Sequence, residues 1–285
     1  MYFFIYDSLG DKRKYRKETE KIQMKLAEFG IADEHARATP LRTVSELVKD
    51  ALHREVSNIV VVGDDHSAHA AINVMAKSKT QSSLGFIPIS KDSLVAKVLG
   101  IPFGQRACKT IAQRKIKKVD LGRIGNEFFL TYLTMNAGPE NGEPSRFARS
   151  QSLPKSCAID IPWPKDATMT ISMREALIVN VSPWHKEGRL QLGERRRLNI
   201  SPTDGMLDFF FLPSTAIEPD VYRNFRQGSF MENQELSYFR RSELTITAKN
   251  DIALIADNTK TKQFPINITT VPKALQIIVG SDRLF

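Results

Sequence analysis

A doubly wound, parallel α/β domain followed by a β-sandwich is the fold class predicted by this 285-residue sequence. Its first third alternates strand-like and helix-like segments, which implies parallel βαβ units. Ile59-Val-Val-Val62 runs into Gly63, then into acidic and hydroxyl residues, then into an apolar pattern at helical spacing: strand, tight turn, helix start. From about Val119 the texture changes to short strand-like runs punctuated by Gly, Pro and Asn. The length suits about two domains. The boundaries read as 1–118 and 119–271, with 272–285 a candidate to complete the first domain.

The elements follow in order. Met1-Tyr-Phe-Phe-Ile-Tyr6 is apolar, stops at Asp7 and has no basic leader, so it reads as a first strand and not a signal peptide. Residues 13–29 place Ile22, Leu26 and Phe29 at helical spacing with Gly30 just beyond. Residues 44–52 gather Val44, Leu47, Val48, Ala51 and Leu52 on one helical face. Strand 59–62, helix 68–77, strand 85–88 and helix 94–99 complete the first part, the last stopped by Gly100 and Pro102. On such a sheet ligands bind beyond the strand C-termini, where Gly63 and Ser90 fall. Residues 119–124 and 128–133 flank a Gly125-Asn126 turn as a hairpin. Residues 130–162 read as a long loop. Strands are expected at 168–173, 176–181, 207–212, 244–248, 252–256, 266–270 and 274–279.

Composition narrows the partners. Forty-one Lys+Arg against 32 Asp+Glu give a net charge of +9, which favours anionic partners such as nucleotide phosphates or acidic lipid headgroups. The basic clusters are short and no aromatic residues interleave them, so nucleic acid is not the expected partner. Cys108 and Cys157 show no CxxC or ligand spacing and read as free thiols in a reducing cytoplasm. No apolar run is long enough to span a bilayer.

Several motifs then fall in one order. The first two are Asp7-Ser-Leu-Gly10 and Val62-Gly-Asp-Asp-His-Ser67. Next comes Leu84-Gly-Phe-Ile-Pro-Ile-Ser-Lys-Asp-Ser-Leu-Val-Ala-Lys-Val-Leu-Gly-Ile-Pro102. Val119-Asp-Leu-Gly122, Asp204-Gly-Met-Leu-Asp208, Ala256-Asp-Asn-Thr259 and Pro272-Lys-Ala-Leu275 complete the series. This ordered set resembles the diacylglycerol kinase-type lipid kinase family, which includes bacterial lipid kinases and sphingosine kinases. The corresponding family motifs are an Asn-Pro…Gly loop, Gly-Gly-Asp-Gly-Thr, LGxIPxGTGNDFARxLGIP, VDLG, DGxLD, DGE and a closing PxAL. The resemblance implies a nucleotide-binding α/β domain, a β-sandwich domain and an active site in the cleft between them.

It also implies a chemistry. Transfer of the γ-phosphoryl of ATP to a lipid hydroxyl needs backbone donors around the phosphates, Mg²⁺, and a group that orients or deprotonates the hydroxyl. On the resemblance, Gly63, Asp64, Ser67, Ser90, Lys91 and Ser93 are the nucleotide-contacting candidates. Asp65 and Asp257 are the catalytic candidates, and Asp204 and Asp208 the metal-associated carboxylates. The chain departs from the pattern at telling points. Asp64 and His66 stand where the family has glycines, and Ser90-Lys-Asp-Ser-Leu94 replaces Gly-Thr-Gly-Asn-Asp. Lys97 replaces an arginine, and Asn258 and Thr259 replace the Gly and Glu of DGE. The family's Gly-x-Asp-Ala is Asn136-Ala-Gly138, which leaves Glu140 as another source of a carboxylate.

Each candidate also has a plain structural reading. Asp65 or Ser67 can simply cap the helix, worth about 1 kcal/mol. Asp204 and Asp208 fit turn chemistry, and Asp65, His66 and His69 supply three zinc-type ligands without an evident fourth. Two functions therefore stand side by side. One is an ATP- and Mg²⁺-dependent kinase of a diacylglycerol-like lipid, cytoplasmic or peripheral at the inner face of the membrane. The alternative is a descendant that binds nucleotide or anionic lipid without transfer. A soluble-substrate kinase like NAD kinase is disfavoured, because DGxLD and PxAL resemble the lipid branch.

Overall fold

The structure, a computed structural model, describes all residues except 9–12, 79–80, 137–154, 164–166, 185–188, 193–195, 217–219, 222–224, 226–235, 249–251, 258 and 262–265. Strand β1 (Tyr2–Tyr6) is followed by α1 (Arg13–Glu28), β2 (Glu34–Arg37), α2 (Val44–His53), β3 (Asn58–Gly63), α3 (Asp65–Ser78), β4 (Ser83–Pro88), α4 (Leu94–Leu99), a 3-10 turn at Gly104–Arg106 and α5 (Ala107–Gln113). β1 pairs in parallel with β2 and β3, and β3 pairs in parallel with β4. Every residue of β1, β3 and β4 is buried, as a parallel sheet covered on both faces requires. α2 starts where the spacing predicts because Thr43 and Glu46 form a reciprocal capping box. α4 ends at Gly100, whose φ of +66° closes the last turn without a Cβ penalty.

The second half is almost entirely strand: β5 (Ile116–Ile124), β6 (Glu127–Phe129), β7 (Tyr132–Asn136), β8 (Cys157–Trp163), β9 (Ala167–Val179), β10 (Arg189–Leu192), β11 (Arg196–Asn199), β12 (Leu207–Pro213), β13 (Ser237–Arg241), β14 (Glu243–Ala248), β15 (Ala253–Ala256), β16 (Thr259–Thr261) and β17 (Ile266–Ile278). β17 joins the two halves. It pairs with β5 along its length, with β14 near its start, and in parallel with β4 near its end. One apolar core packs around β1, β3 and β4 and includes Leu275, Ile277 and Ile278 of β17. A second encloses Phe129, Leu133, Ile178, Phe209 and Ile268, and a third lies around Phe210 and Phe225. The N-terminal α/β part and C-terminal sandwich are thus the fold class expected from sequence.

Some elements differ from the expectation. Residues 168–173 and 176–181 belong largely to the one long strand β9, which carries the fully buried Glu175 through its middle. Residues 266–270 and 274–278 likewise belong to β17. A register shift between Val271 and Leu275, with Lys273 at φ +52°, absorbs Pro272 and keeps the strand continuous. The expected strand 128–133 is broken into β6 and β7, and β8 lies in a stretch read as loop. Cys108 and Cys157 are free and buried, and burial pushes the Cys108 thiol up to about 11. No helix among the described residues is long and apolar enough to cross a membrane.

Candidate functional site

The carboxyl ends of β1, β3 and β4 bring Asp7, Gly63 and Ser90 to one edge of the parallel sheet. Asp7 N–H donates to the Val62 carbonyl (2.9 Å), and Ile89 N–H to the Gly63 carbonyl (2.9 Å). Gly63 is required by close approach: a Cβ there would lie 2.9 Å from Ser67 Cβ and 3.1 Å from Asp7 Cβ. α3 begins at Asp65, and Asp64 is its N-cap. The Asp64 carboxylate accepts from Ser67 N–H (3.0 Å) and from the Ser67 hydroxyl (3.2 Å). The Ser67 hydroxyl, 2% exposed as a residue, also faces the Asp7 carboxylate at hydrogen-bond distance. Two carboxylates therefore converge on the amino end of α3. The backbone donor and hydroxyl that the sequence offered to a phosphate are taken by the chain itself, and Asp64, not Asp65 or Ser67, does the capping.

Asp65 reaches the next helix instead. Its carboxylate accepts from the Ser93 hydroxyl and from Leu94 N–H (2.8 Å), while Ser93 Oγ in turn accepts from Ala96 N–H (3.0 Å) as the N-cap of α4. Burial raises the Asp65 carboxyl above its ordinary value. The hydrogen bonds from Ser93 and Leu94 oppose that rise and the Asp257 charge adds to it. Ser90 and Lys91 lie outside this network. The Ser90 hydroxyl accepts from Asp92 N–H (3.4 Å), and the Lys91 ammonium sits 5.9 Å from the centre of the Phe103 ring. Ser90, Lys91, Ser93, Lys97 and Phe103 line a cavity of about 420 Å³.

Asp257 is held deep at the junction of the two halves. It is 3% exposed and has φ +45°, a conformation Asp tolerates better than most residues. Its carboxylate accepts from Leu130 N–H (2.7 Å), Thr131 N–H (2.8 Å) and the Thr131 hydroxyl, and it lies 3.4 Å from His69 Nδ1. These bonds turn the chain between β6 and β7. Asn73 fixes the same bend: its amide accepts from Phe128 N–H (2.9 Å) and donates to the Phe128 carbonyl (3.0 Å). That orientation places Asn73 Nδ2, a pure donor, 3.1 Å from His69 Nε2. Nε2 therefore accepts, and in the neutral ring Nδ1–H donates to Asp257. His69 and Asp65 thus serve different partners, and no group of three or more metal-type ligands exists among the described residues.

Asp204 and Asp208 are the carboxylates expected to order a metal, and here both face a cation of the chain itself. Arg240 NH2 is bonded to the Asp204 carboxylate, and Arg240 Nε lies 3.9 Å from Asp208 Oδ1. The Tyr238 hydroxyl donates to Asp208 (2.6 Å). A resident guanidinium thus supplies positive charge at the place the resemblance gives to a metal. The cause is register: β12 sets Asp208 opposite Arg240 of β13, and Tyr238, two residues away, shares that face. Reading 237–241 as a strand would have exposed this pairing. Nearby, buried Asp120 accepts from Gly205 N–H (2.8 Å) and Lys273 N–H (2.7 Å), tying the DGxLD turn to β17. Asn180 donates to the carbonyls of Asp120 (2.9 Å) and Leu130 (2.8 Å). Neither Asp120 nor Asn180 was singled out for such a role from sequence. Glu140 and Asn258 lie outside the described residues.

Burial pushes the Asp208 carboxyl up to about 6, the Tyr238 hydrogen bond and Arg240 charge opposing it. A carboxyl raised on folding gives stability that is full below its unfolded value and lost as pH rises through the folded one. Stability is therefore expected to fall by about 2 kcal/mol between pH 4 and pH 6 on account of this group. Asp208→Asn keeps an acceptor for Tyr238 and is expected to flatten that slope. Urea unfolding at several pH values reads it, and an unaltered slope would refute the assignment.

The first 124 residues match the family model of the diacylglycerol kinase catalytic domain. In both sequence and fold the chain resembles the diacylglycerol kinase-type lipid kinases. It is 23% identical over 128 residues to the diacylglycerol kinase of Bacillus subtilis (strain 168), a match covering 44% of this chain and 42% of that protein. It is 20% identical over 296 residues to a Staphylococcus haemolyticus (strain JCSC1435) protein named "Putative lipid kinase SH2167", covering 98% and 92% of the two chains. The crystal structure of a diacylglycerol kinase from Bacillus anthracis str. Sterne superimposes with a TM-score of 0.77 at 14% identity, covering 99% and 97%.

Proposed function

We propose that this chain is a lipid-kinase-like protein that binds a nucleotide polyphosphate without transferring its phosphoryl group. The observation that carries this reading is the pair of carboxylates, Asp7 and Asp64, on Ser67. A helix amino end favours an anion by about 0.3–1 kcal/mol. Here the protein's own carboxylates take that advantage, and a phosphate brought to the same place meets two negative charges. Asp257 is engaged by Leu130 N–H, Thr131 N–H, the Thr131 hydroxyl and His69, which supports a structural role over proton transfer. Binding then falls to the β4–α4 loop. Ser90 offers a hydroxyl and Lys91 and Lys97 offer cations around a cavity of small-ligand size. The excess positive charge favours the same partner and, equally, a peripheral position on an acidic membrane.

One observation favours the second reading, an ATP- and Mg²⁺-dependent kinase of a diacylglycerol-like lipid. Asp65 is only half-buried, and burial raises its carboxyl above its ordinary value, the direction in which a general base is tuned. In that reading Asp65 serves the nucleotide–metal site and Asp257 orients or deprotonates the lipid hydroxyl.

The two readings part in one experiment, with ADP release and melting temperature measured in Mg·ATP with mixed lipid vesicles. On the binding reading ADP release stays at background. At saturating ATP the protein gains about 2.7 kcal/mol, a rise of several degrees that Lys91→Ala at least halves. ADP release that Asp65→Asn abolishes would replace this reading with the kinase. Neither turnover nor a shift in melting temperature would sink both.

A further inference from the structure

We infer that a second cavity, beside the β4–α4 loop but distinct from it, is a site for a phosphomonoester. It occupies about 430 Å³ between the end of α4, helix α5 and the segment 281–282. Lys97, Arg106 and Lys109 line it, together with Thr110, Gln113 and Asp282. Three cations and one acid in one concave wall leave a local excess of positive charge. Some surface cations are paired, Arg42 with Asp50, Arg54 with Glu34 and Lys25 with Glu28, but what sets this wall apart is that three cations share one concavity with a single carboxylate. None of Lys97, Arg106 and Lys109 forms an ion pair with another described residue. Like charges gathered around a low-dielectric wall focus the field, and a bound dianion relieves their repulsion.

The other groups narrow the ligand. A hydroxyl and an amide add neutral hydrogen bonds of the kind phosphate oxygens accept. The volume falls in the range of small-molecule sites and exceeds what a bare phosphate fills, so the ligand carries an organic group. Ile101 gives that group an apolar wall. Asp282 accepts only, so the matching part of the ligand carries a donor such as a hydroxyl.

The walls are set before any ligand arrives. Gly280 N–H donates to the Leu99 carbonyl (2.8 Å) and Leu284 N–H to the Val98 carbonyl (3.0 Å), pinning the final segment across α4. Gly100 makes this approach possible, since a Cβ there would lie 2.2 Å from Arg283 N. A preformed site loses less affinity to ordering. The two cavities share Lys97, but Arg106 and Lys109 line this one and not the β4–α4 cavity, while Lys91 does the reverse, so variants at these positions tell the two sites apart.

The phosphomonoester can be soluble or the headgroup of a lipid, and the experiment separates these sources. Calorimetry with sn-glycerol 3-phosphate tests the first. Flotation with phosphatidylcholine vesicles, with and without phosphatidic acid, tests the second. Wild type is expected to bind one of the two probes. Arg106→Ala with Lys109→Ala is expected to weaken it by about tenfold or more, as is Lys109→Glu alone. Both positions are exposed, so melting temperature without ligand should match wild type. Lys91→Ala should bind as wild type does. Binding of neither probe overturns the proposal. So does equal binding by the double variant, or loss in Lys91→Ala alone, which would move the anion to the β4–α4 loop.

Discussion

Asp257→Ala is expected to destabilise the protein by about 3–5 kcal/mol, the cost of breaking a buried charge network from one side. The carboxylate is 3% exposed and satisfies Leu130 N–H, Thr131 N–H and the Thr131 hydroxyl, with His69 Nδ1 at 3.4 Å. Alanine leaves those donors facing a void, and each buried group left unpaired costs about 1–3 kcal/mol. The positive φ of +45° adds strain that aspartate tolerates and alanine does not. For a chain of this size the loss corresponds to a fall of roughly 10 °C in melting temperature. Asp257→Asn keeps the shape and one acceptor but turns an NH₂ toward a donor, so an intermediate loss is expected. Urea unfolding checks both, with a lower midpoint at unchanged slope. A residue that only moved a proton would behave oppositely, losing turnover while the midpoint stayed put. An unshifted midpoint for Asp257→Ala would therefore return Asp257 to a catalytic role.

That contrast marks what the sequence made legible. The α/β half was readable because its signals are local: Gly100 ends α4, Thr43 and Glu46 start α2, and three strands are predominantly apolar and buried throughout. The ordered motifs also point to the right family of folds. The site was less readable, because the partner of each acidic residue is distant in sequence. Arg240 meets Asp204 across 36 positions, and Asp257 meets His69 across 188. A motif match assigns a carboxylate a place, whereas its chemistry depends on who supplies its countercharge. At Asp204 and Asp208 that is Arg240, which only the β12–β13 register brings to them. Asp64 was missed although its signal is local: an acidic residue directly ahead of a helix is a capping signal, but with the helix read as starting at 68 the cap fell to Asp65 or Ser67.

Gly122→Ala is expected to cost more than 3 kcal/mol, at or above the upper end of about 1–3 kcal/mol for ordinary overpacking. Gly122 lies opposite Phe129 in the β5–β6 register, and the ring folds over it. A Cβ would stand 2.1 Å from Phe129 Cζ and 2.4 and 2.5 Å from its two Cε atoms. The ring cannot step aside. It is fully buried in the second core, and the backbone on either side is fastened, Phe128 to Asn73 and Leu130 to Asp257. Either the strands part, which breaks the bend that holds Asp257, or the ring leaves the core. A double-mutant cycle separates this clash from a general intolerance of β5 to side chains. Phe129→Leu alone removes apolar contacts and destabilises. Combined with Gly122→Ala, however, it removes the atoms in conflict, so the double variant should be more stable than Gly122→Ala alone. A favourable coupling of about 1–3 kcal/mol is expected for such a contact pair. Strict additivity would mean that the ring does not lie over Gly122. The VDLG glycine, on this account, is kept small by an aromatic ring of the second core.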